Sequence, residues 1–330
     1  MIMGVGSVFS SREIAREEWD FLWSKVNHTN ILQSWEYGDA KSKSEGWKPI
    51  RLVFEDENNI PVGLAQVLTK TLPIIGGFAR LNRGPLLVVS DEGHEDTHTR
   101  LQLISHIQQV AKTKRWWFFY LAPEIGDNEN EERAKTKLQK LGLKERSKNL
   151  AWGSSRFSLE PDEDILIAGL KGKWRNLLKK AQKSGLMISH GSCKSDGIGR
   201  LIEFYKAAKI SKNFSGISAD LLRCLSEQDS EKWKFNYYFA EHQDTLDLAG
   251  VLVCVIHGDT ATYLIGNTTD LGRRTNANYS LLWKAIVDSK NFGCRWFDLG
   301  GFNANTPSGI RHFKEGLKGQ TYNLIGEYKG

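Results

Sequence analysis

The 330-residue chain has few of the residues that staple small folds or hold metals. Its four cysteines, Cys193, Cys224, Cys254 and Cys294, stand far apart with no CxxC pair. That spacing argues against a zinc ribbon and a disulfide framework; the thiols are expected to be reduced, and three of them sit in apolar runs. No metal is expected. No GxSxG elbow, P-loop or GxGxxG fingerprint occurs, so hydrolase and nucleotide-fold readings have no motif to stand on. No run of about 18 apolar residues exists, and the first twenty residues meet charge before a useful hydrophobic stretch. The expectation is a soluble, cytoplasmic chain with at most peripheral membrane contact.

What is present is ordinary globular composition with two biases. Hydrophobic residues make up 40% and charged residues 25%, and a chain of this length exceeds most single cores, so two domains are expected. The formal charge is +6, which favours partners bearing phosphate without saying anything about fold. Eleven tryptophans, several beside charges, suit core and cleft walls, because the ring buries area while its N–H seeks a partner.

Hydrophobic periodicity predicts a helix over 12–26, with Ile14, Trp19, Leu22 and Trp23 on one face, and a short helix ending at Gly46. Strands follow at 48–56, 60–72 and 79–89, then a helix at 95–113, a strand at 115–123 and a helix at 128–142. The second half repeats this grammar: helices at 164–185 and 197–212, strands at 235–242, 248–258 and 260–268, a helix at 277–291, a strand at 294–300, a short helix at 308–316 and a strand at 320–328. Two local matches support a repeat: "KTKRWWFFYL" with "NFGCRWFDLG", and "KLQKLGLKE" with "HFKEGLKGQ". Each half reads as a mixed α/β sheet with helices on both faces.

The strand "TATYLIGNT" opens through an Asn/Arg loop into a helix, an arrangement that aims backbone N–H groups at an anion. It resembles the junction of GNAT acyltransferases, where the loop holds the pyrophosphate of CoA. The string "GRRTNAN" lacks the glycines such a loop needs. A GNAT fold without a CoA loop is therefore expected.

In family order along nearly the whole chain run "LQSWEYGDAKSKSEGW" (32–47), "GKWRNLLKKAQKSGL" (172–186), "ATYLIGNTTDLGRRTNANYSLLWKAI" (261–286), "CRWFDLGGFN" (294–303) and "GIRHFKEGLKG" (309–319). This ordered set resembles the Fem-type (FemABX) aminoacyltransferases, in particular their shorter FemX-like branch, since no long heptad stretch forms a coiled-coil arm. The resemblance implies two tandem GNAT-like domains, 1–150 and 151–316, the first completed by the C-terminal strand 317–330. It implies transfer of an amino acid from aminoacyl-tRNA to an amine of a nucleotide- or lipid-linked peptidoglycan precursor. It also implies a catalytic pair, Phe313 and Lys314, and substrate-binding roles for Lys41, Trp35, Arg175 and Tyr263. Neither metal nor CoA would be needed, the chain would act as a monomer, and DNA would not be a partner.

Other readings stay open on the residues alone. Acyl-CoA-dependent N-acyl transfer to a sugar or polyamine, the same tRNA chemistry on a natural-product or protein amine, and a non-catalytic RNA- or precursor-binding protein all fit this fold. The stretch 171–183 carries six basic residues and no acid, opposite an apolar stripe of Trp174, Leu177, Leu178 and Ala181. Its basic face is either solvated or a phosphate or tRNA surface. Asp298, ending an apolar strand before Gly300, reads as a general base or as a cap on loop backbone.

Overall fold

A computed structural model describes the chain except residues 1, 4–8, 73–75, 89–96, 128–130, 148–152, 193–195, 215 and 302–305. The chain divides into two compact units, Met1–Gly153 with Tyr322–Gly330, and Ser154–Thr321.

In the first unit the strands are β1 (Ile2–Met3), β2 (Ser10–Glu13), β3 (Lys48–Glu55), β4 (Pro61–Leu72), β5 (Gly76–Gly84), β6 (Leu86–Leu87), β7 (Phe118–Pro123) and β8 (Lys144–Ser147). Its helices are α1 (Arg16–Trp23), α2 (Trp35–Glu45), α3 (Thr97–Thr113) and α4 (Glu131–Lys140). Helix α2 starts at the Ser34 hydroxyl, which accepts from the Tyr37 amide, and stops at Gly46 with φ +68°. The apolar stripe of α3, Leu103, Ile104, Ile107 and Val110, joins Leu52, Phe54, Val67 and Leu81 in one core. Trp19, Leu22 and Trp23 of α1 cover Val53, Leu64 and Leu86, the alternate residues of the same strands.

The second unit begins with β9 (Gly153–Ser158), whose first residue falls to the other side of the division, and continues through α5 (Glu163–Gly169), α6 (Gly172–Gln182), β10 (Leu186–Gly191), α7 (Gly197–Ser211) and α8 (Ala219–Ser226). Strands β11 (Trp233–His242), β12 (Leu248–His257) and β13 (Thr260–Thr268) form its antiparallel centre. Then come α9 (Asp270–Arg274), α10 (Ala277–Asn291), β14 (Trp296–Asp298), α11 (Ser308–Glu315) and β15 (Gln320–Asn323), followed by β16 (Glu327–Lys329). Nine of the ten residues of β12 are buried, which explains its unbroken apolar run: both faces are covered. Helices α6 and α10 bring Trp174, Leu178, Leu281, Leu282 and Ile286 onto that sheet.

The two sheets run β1-β2-β3-β4-β5-β7-β16-β8 and β10-β11-β12-β13-β14-β9-β15. In each, one parallel pair, β5 with β7 or β13 with β14, is connected through a long helix, α3 or α10. The strand next to that pair is exchanged. The one after β8, namely β9, enters the second sheet, and the one after β15, namely β16, enters the first. The mixed α/β class and tandem arrangement expected from the sequence hold, and the longest described helix, α3, has 17 residues.

Two expected helices are corrected. Residues 12 and 13 of the first, expected over 12–26, end β2 and pair with β3, and the helix spans only Arg16–Trp23, because Arg12 is held by Glu18 and Glu55 at the strand edge. The helix over 164–185 breaks at Leu170, which is extended between two glycines.

Candidate active site

Helix α11 places Phe313 and Lys314 on its inner face, 8% and 6% exposed. Phe313 stacks on Trp174 with centroids 6.0 Å apart and meets Tyr279 edge-on at 5.1 Å. The Trp174 indole N–H donates to the Phe313 carbonyl at 3.1 Å, and the Lys171 amide donates to the Gly316 carbonyl at 2.9 Å. The N-terminus of α6 therefore grips the C-terminal turn of α11. Gly316 is needed there, since a Cβ would lie 2.2 Å from the Trp174 ring.

Lys314 Nζ donates to the Gly300 carbonyl at 2.7 Å and to the Gly301 carbonyl at 2.8 Å, and it sits 5.6 Å from the centre of the Tyr263 ring. Two of its three protons are thus held by backbone, which leaves one to present. Burial pushes the ammonium down to about 8, and the carboxylate of Asp298 offsets part of that effect. Burial also pushes the Tyr263 hydroxyl up to about 12. The turn bearing both carbonyls is built by Asp298, at the end of β14. Its Oδ1 accepts from the Gly300 amide at 2.7 Å and from the Ser154 hydroxyl. Gly300 has φ +62°, and a Cβ there would come 2.4 Å from the Tyr263 carbonyl oxygen. Asp298 thus caps a loop, as one of its two sequence readings held.

Among the residues singled out from the sequence, Phe313, Lys314 and Tyr263 come together. Arg175, on α6, donates from Nη1 to the carbonyls of Ala168 and Leu170, closing the end of α5. Lys41 and Trp35 lie in the first unit on α2. Lys41 is paired with Glu45 one turn on, and the Trp35 ring is covered by the Arg51 guanidinium at 3.6 Å. An anion arriving at Lys41 competes with that carboxylate. Sequence reasoning missed Ser154 and the two glycine carbonyls. A backbone acceptor leaves no residue-type signal, and only the Gly-Gly pair after Asp298 hinted at it. It also passed over the string His94-Glu95-Asp96-Thr97-His98, which has the HExxH spacing; of it only Thr97 and His98, in the first turn of α3, belong to the described residues. No group of three His, Cys, Asp or Glu side chains suited to a metal occurs among the described residues.

The strand-to-helix junction after β13 is filled from within. The Thr269 hydroxyl accepts from the Gly272 amide, and Asp270 occupies the first turn of α9, paired with Arg273.

Residues 218–330 match the FemAB family. The solved structure of FemX superposes with a TM-score of 0.75 at 15% identity, over 97% of this chain and 96% of that one. The family match covers about the C-terminal third of the chain, and the likeness to FemX is one of fold over nearly its whole length. That fold is also the one of a tandem GNAT protein from the clavulanic acid biosynthesis pathway, at TM-score 0.55, 12% identity, and 98% coverage of both chains. A C-terminal domain of a putative lysylphosphatidylglycerol synthetase from Agrobacterium fabrum matches at TM-score 0.55, 11% identity, over 94% and 91%. No curated protein matches in sequence. The chain therefore has a tandem GNAT-like fold. Among its described residues no helix is long and apolar enough to cross a membrane.

Proposed function

We propose that this Fem-type chain is a cytoplasmic aminoacyltransferase that moves an amino acid from aminoacyl-tRNA to an amine of a peptidoglycan precursor peptide. The observation that carries this reading is the buried Lys314 ammonium, fixed by two glycine carbonyls and left with one proton to give. In the reaction the amine nitrogen attacks the ester carbonyl carbon, a tetrahedral oxyanion forms, and the bond to the terminal ribose oxygen breaks. The third Lys314 proton stabilises the oxyanion or passes to the departing ribose oxygen, and the proton shed by the amine restores it. A group pushed down to about 8 can both hold and give a proton near neutrality. One such fixed donor contributes about 10²- to 10³-fold to rate. Phe313, clamped by Trp174 and Tyr279, sets where that donor points.

The ester is already activated, so positioning and charge suffice without a metal or CoA. The junction after β13, whose Gly272 amide is taken by the Thr269 hydroxyl and whose string "GRRTNAN" lacks the glycines of a CoA loop, supports this over acyl-CoA chemistry. The precursor's phosphates are assigned to Arg175, whose Nη1 is engaged with backbone, and to Lys41; Trp35 and Tyr263 are assigned to lining substrate. The test is a purified reaction with a pool of charged tRNAs and candidate muropeptides, read by mass spectrometry for added residue masses. Wild type is expected to add a residue, and Lys314→Met to lose about a hundredfold or more of the rate. Turnover with acyl-CoA and none with any aminoacyl-tRNA overturns the reading.

A further inference from the structure

Helix α6 carries an unbalanced row of bases. On several other helices bases are matched by acids three or four residues away: Arg16 with Asp20, Lys135 with Glu131, Lys206 with Glu203, Arg223 with Asp220, Lys284 with Asp288. Helix α6 contains no acid at all. Lys173, Lys179 and Lys180 are exposed along one side, Lys183 extends the row at the C-cap, and among the described residues none of the four has an acidic partner. Like charges three and four residues apart on a helix, as at Lys179, Lys180 and Lys183, destabilise it. The helix dipole accommodates the last-turn lysines but disfavours Lys173 in the first turn. A row kept at that cost points to an anion.

The opposite side of α6 is consumed by the core: Trp174, Leu178 and Ala181 are at most 3% exposed. A membrane-surface helix needs a free apolar face to insert, and α6 has none to offer. A polyanion needs only the lysine row. From Lys173 to Lys183 the row is about 15 Å long at 1.5 Å per residue. A row of that length can follow several consecutive backbone phosphates. The row also has a direction, because its N-terminal end is the end that grips the Phe313–Lys314 turn through Trp174 and Lys171.

We propose that the lysine row of α6 is the track for the backbone of the RNA donor. The 3′ end lies at Lys314 and the preceding phosphates run from Lys173 toward Lys183. This rests on the donor being an aminoacyl-tRNA. The distal lysines then act on full-length donors only, since an acylated dinucleotide ends before reaching them.

The experiment compares wild type, the triple variant Lys179→Ala/Lys180→Ala/Lys183→Ala, and the charge-preserving triple Lys→Arg at the same positions. All three are checked by circular dichroism and melting; alanine at exposed helix positions favours the fold. Deacylated tRNA is titrated at several salt concentrations, and transfer is measured with aminoacyl-tRNA and with an aminoacylated dinucleotide. For the alanine triple the expected result is a salt slope shallower by about 2, at about 0.7 per single-strand phosphate contact. Its KM for aminoacyl-tRNA should rise tenfold or more, the dinucleotide's KM should move less than twofold, and the arginine triple should behave as wild type. An unchanged slope with KM within twofold overturns the proposal, as does an equal loss with both donors. Loss of binding to phosphatidylglycerol vesicles with tRNA binding intact assigns the row to a membrane and overturns it as well. Wild type that binds tRNA through this row yet transfers nothing keeps the row and defeats the proposed function.

Discussion

Lys314, to which the proposed chemistry is assigned, costs the fold stability because its ammonium is buried. Its ammonium titrates at about 8 in the folded chain against 10.5 as a free side chain. Below pH 8 both states are protonated and the desolvation cost, about 3 kcal/mol, is fully present. Between pH 8 and 10.5 the unfolded chain holds the extra proton, so stability rises with pH. Denaturant unfolding is expected to show wild type gaining about 2 kcal/mol between pH 7.5 and 10 relative to Lys314→Met, in which this rise is absent. A flat difference between the two would place Lys314 in water. The catalytic counterpart has the opposite slope. If the protonated form does the work, kcat falls as pH climbs through about 8. Asp298 raises the Lys314 value, so Asp298→Asn should move that alkaline limb to lower pH, and a pH–rate profile reads the direction. Of this site the pair Phe313–Lys314 was legible through family resemblance. The partners that tune it were not, because Gly300 and Gly301 contribute only carbonyls and Asp298 was left with two readings.

Elements were legible where one force dominated. Helix α10 begins and ends where its periodicity does, at Ala277 and Asn291, since its apolar face meets a fully buried sheet. Strand β9 escaped because Ser154 and Ser155, although 3% exposed, are polar; pairing buries them and no apolar alternation announces it. The reach of the first helix was overread because Ile14 packs with the α1 face although it lies outside the helix. At this scale the clamp between α6 and α11 is the feature to test. Trp174→Phe keeps a ring against Phe313 and Tyr279 but removes the indole hydrogen bond to the Phe313 carbonyl, which retains only the longer one from the Gly316 amide at 3.3 Å, a cost of about 1 kcal/mol. The chain should stay folded by circular dichroism while Tm falls and transfer drops at least tenfold, because the turn carrying Lys314 loses its fixed register. Full activity in Trp174→Phe would mean that stacking alone holds the turn. Gly300→Ala attacks the same register from the other side, through φ +62° and the contact with the Tyr263 carbonyl. It should cost about 1–3 kcal/mol and lower kcat more than it raises KM.

For the whole molecule the consequential fact is the strand exchange. The repeat read from "KTKRWWFFYL" and "NFGCRWFDLG" is β7 against β14, each in a parallel pair, yet each sheet is finished by a strand from the other repeat. Sequence similarity between halves cannot disclose this, because both β9 and β16 have the same local pattern whichever sheet receives them. The exchange makes the last residues structural. Tyr328 is fully buried, Glu327 accepts from Arg80 at 3.0 Å, and β16 lies between β7 and β8. A chain ending at Thr321 therefore loses an interior strand of the first sheet while Ser154–Thr321 keeps every strand except the end of β15. Hydrogen exchange should show protection vanishing from α3 and β7 and persisting in α10 and β12. A synthetic peptide of residues 322–330 added in trans should restore part of it. Equal protection in the truncated and complete chains would show that β16 merely decorates the sheet. Loss of protection in both units together would show that the two cores fold as one, with neither able to stand once the exchanged strand is gone.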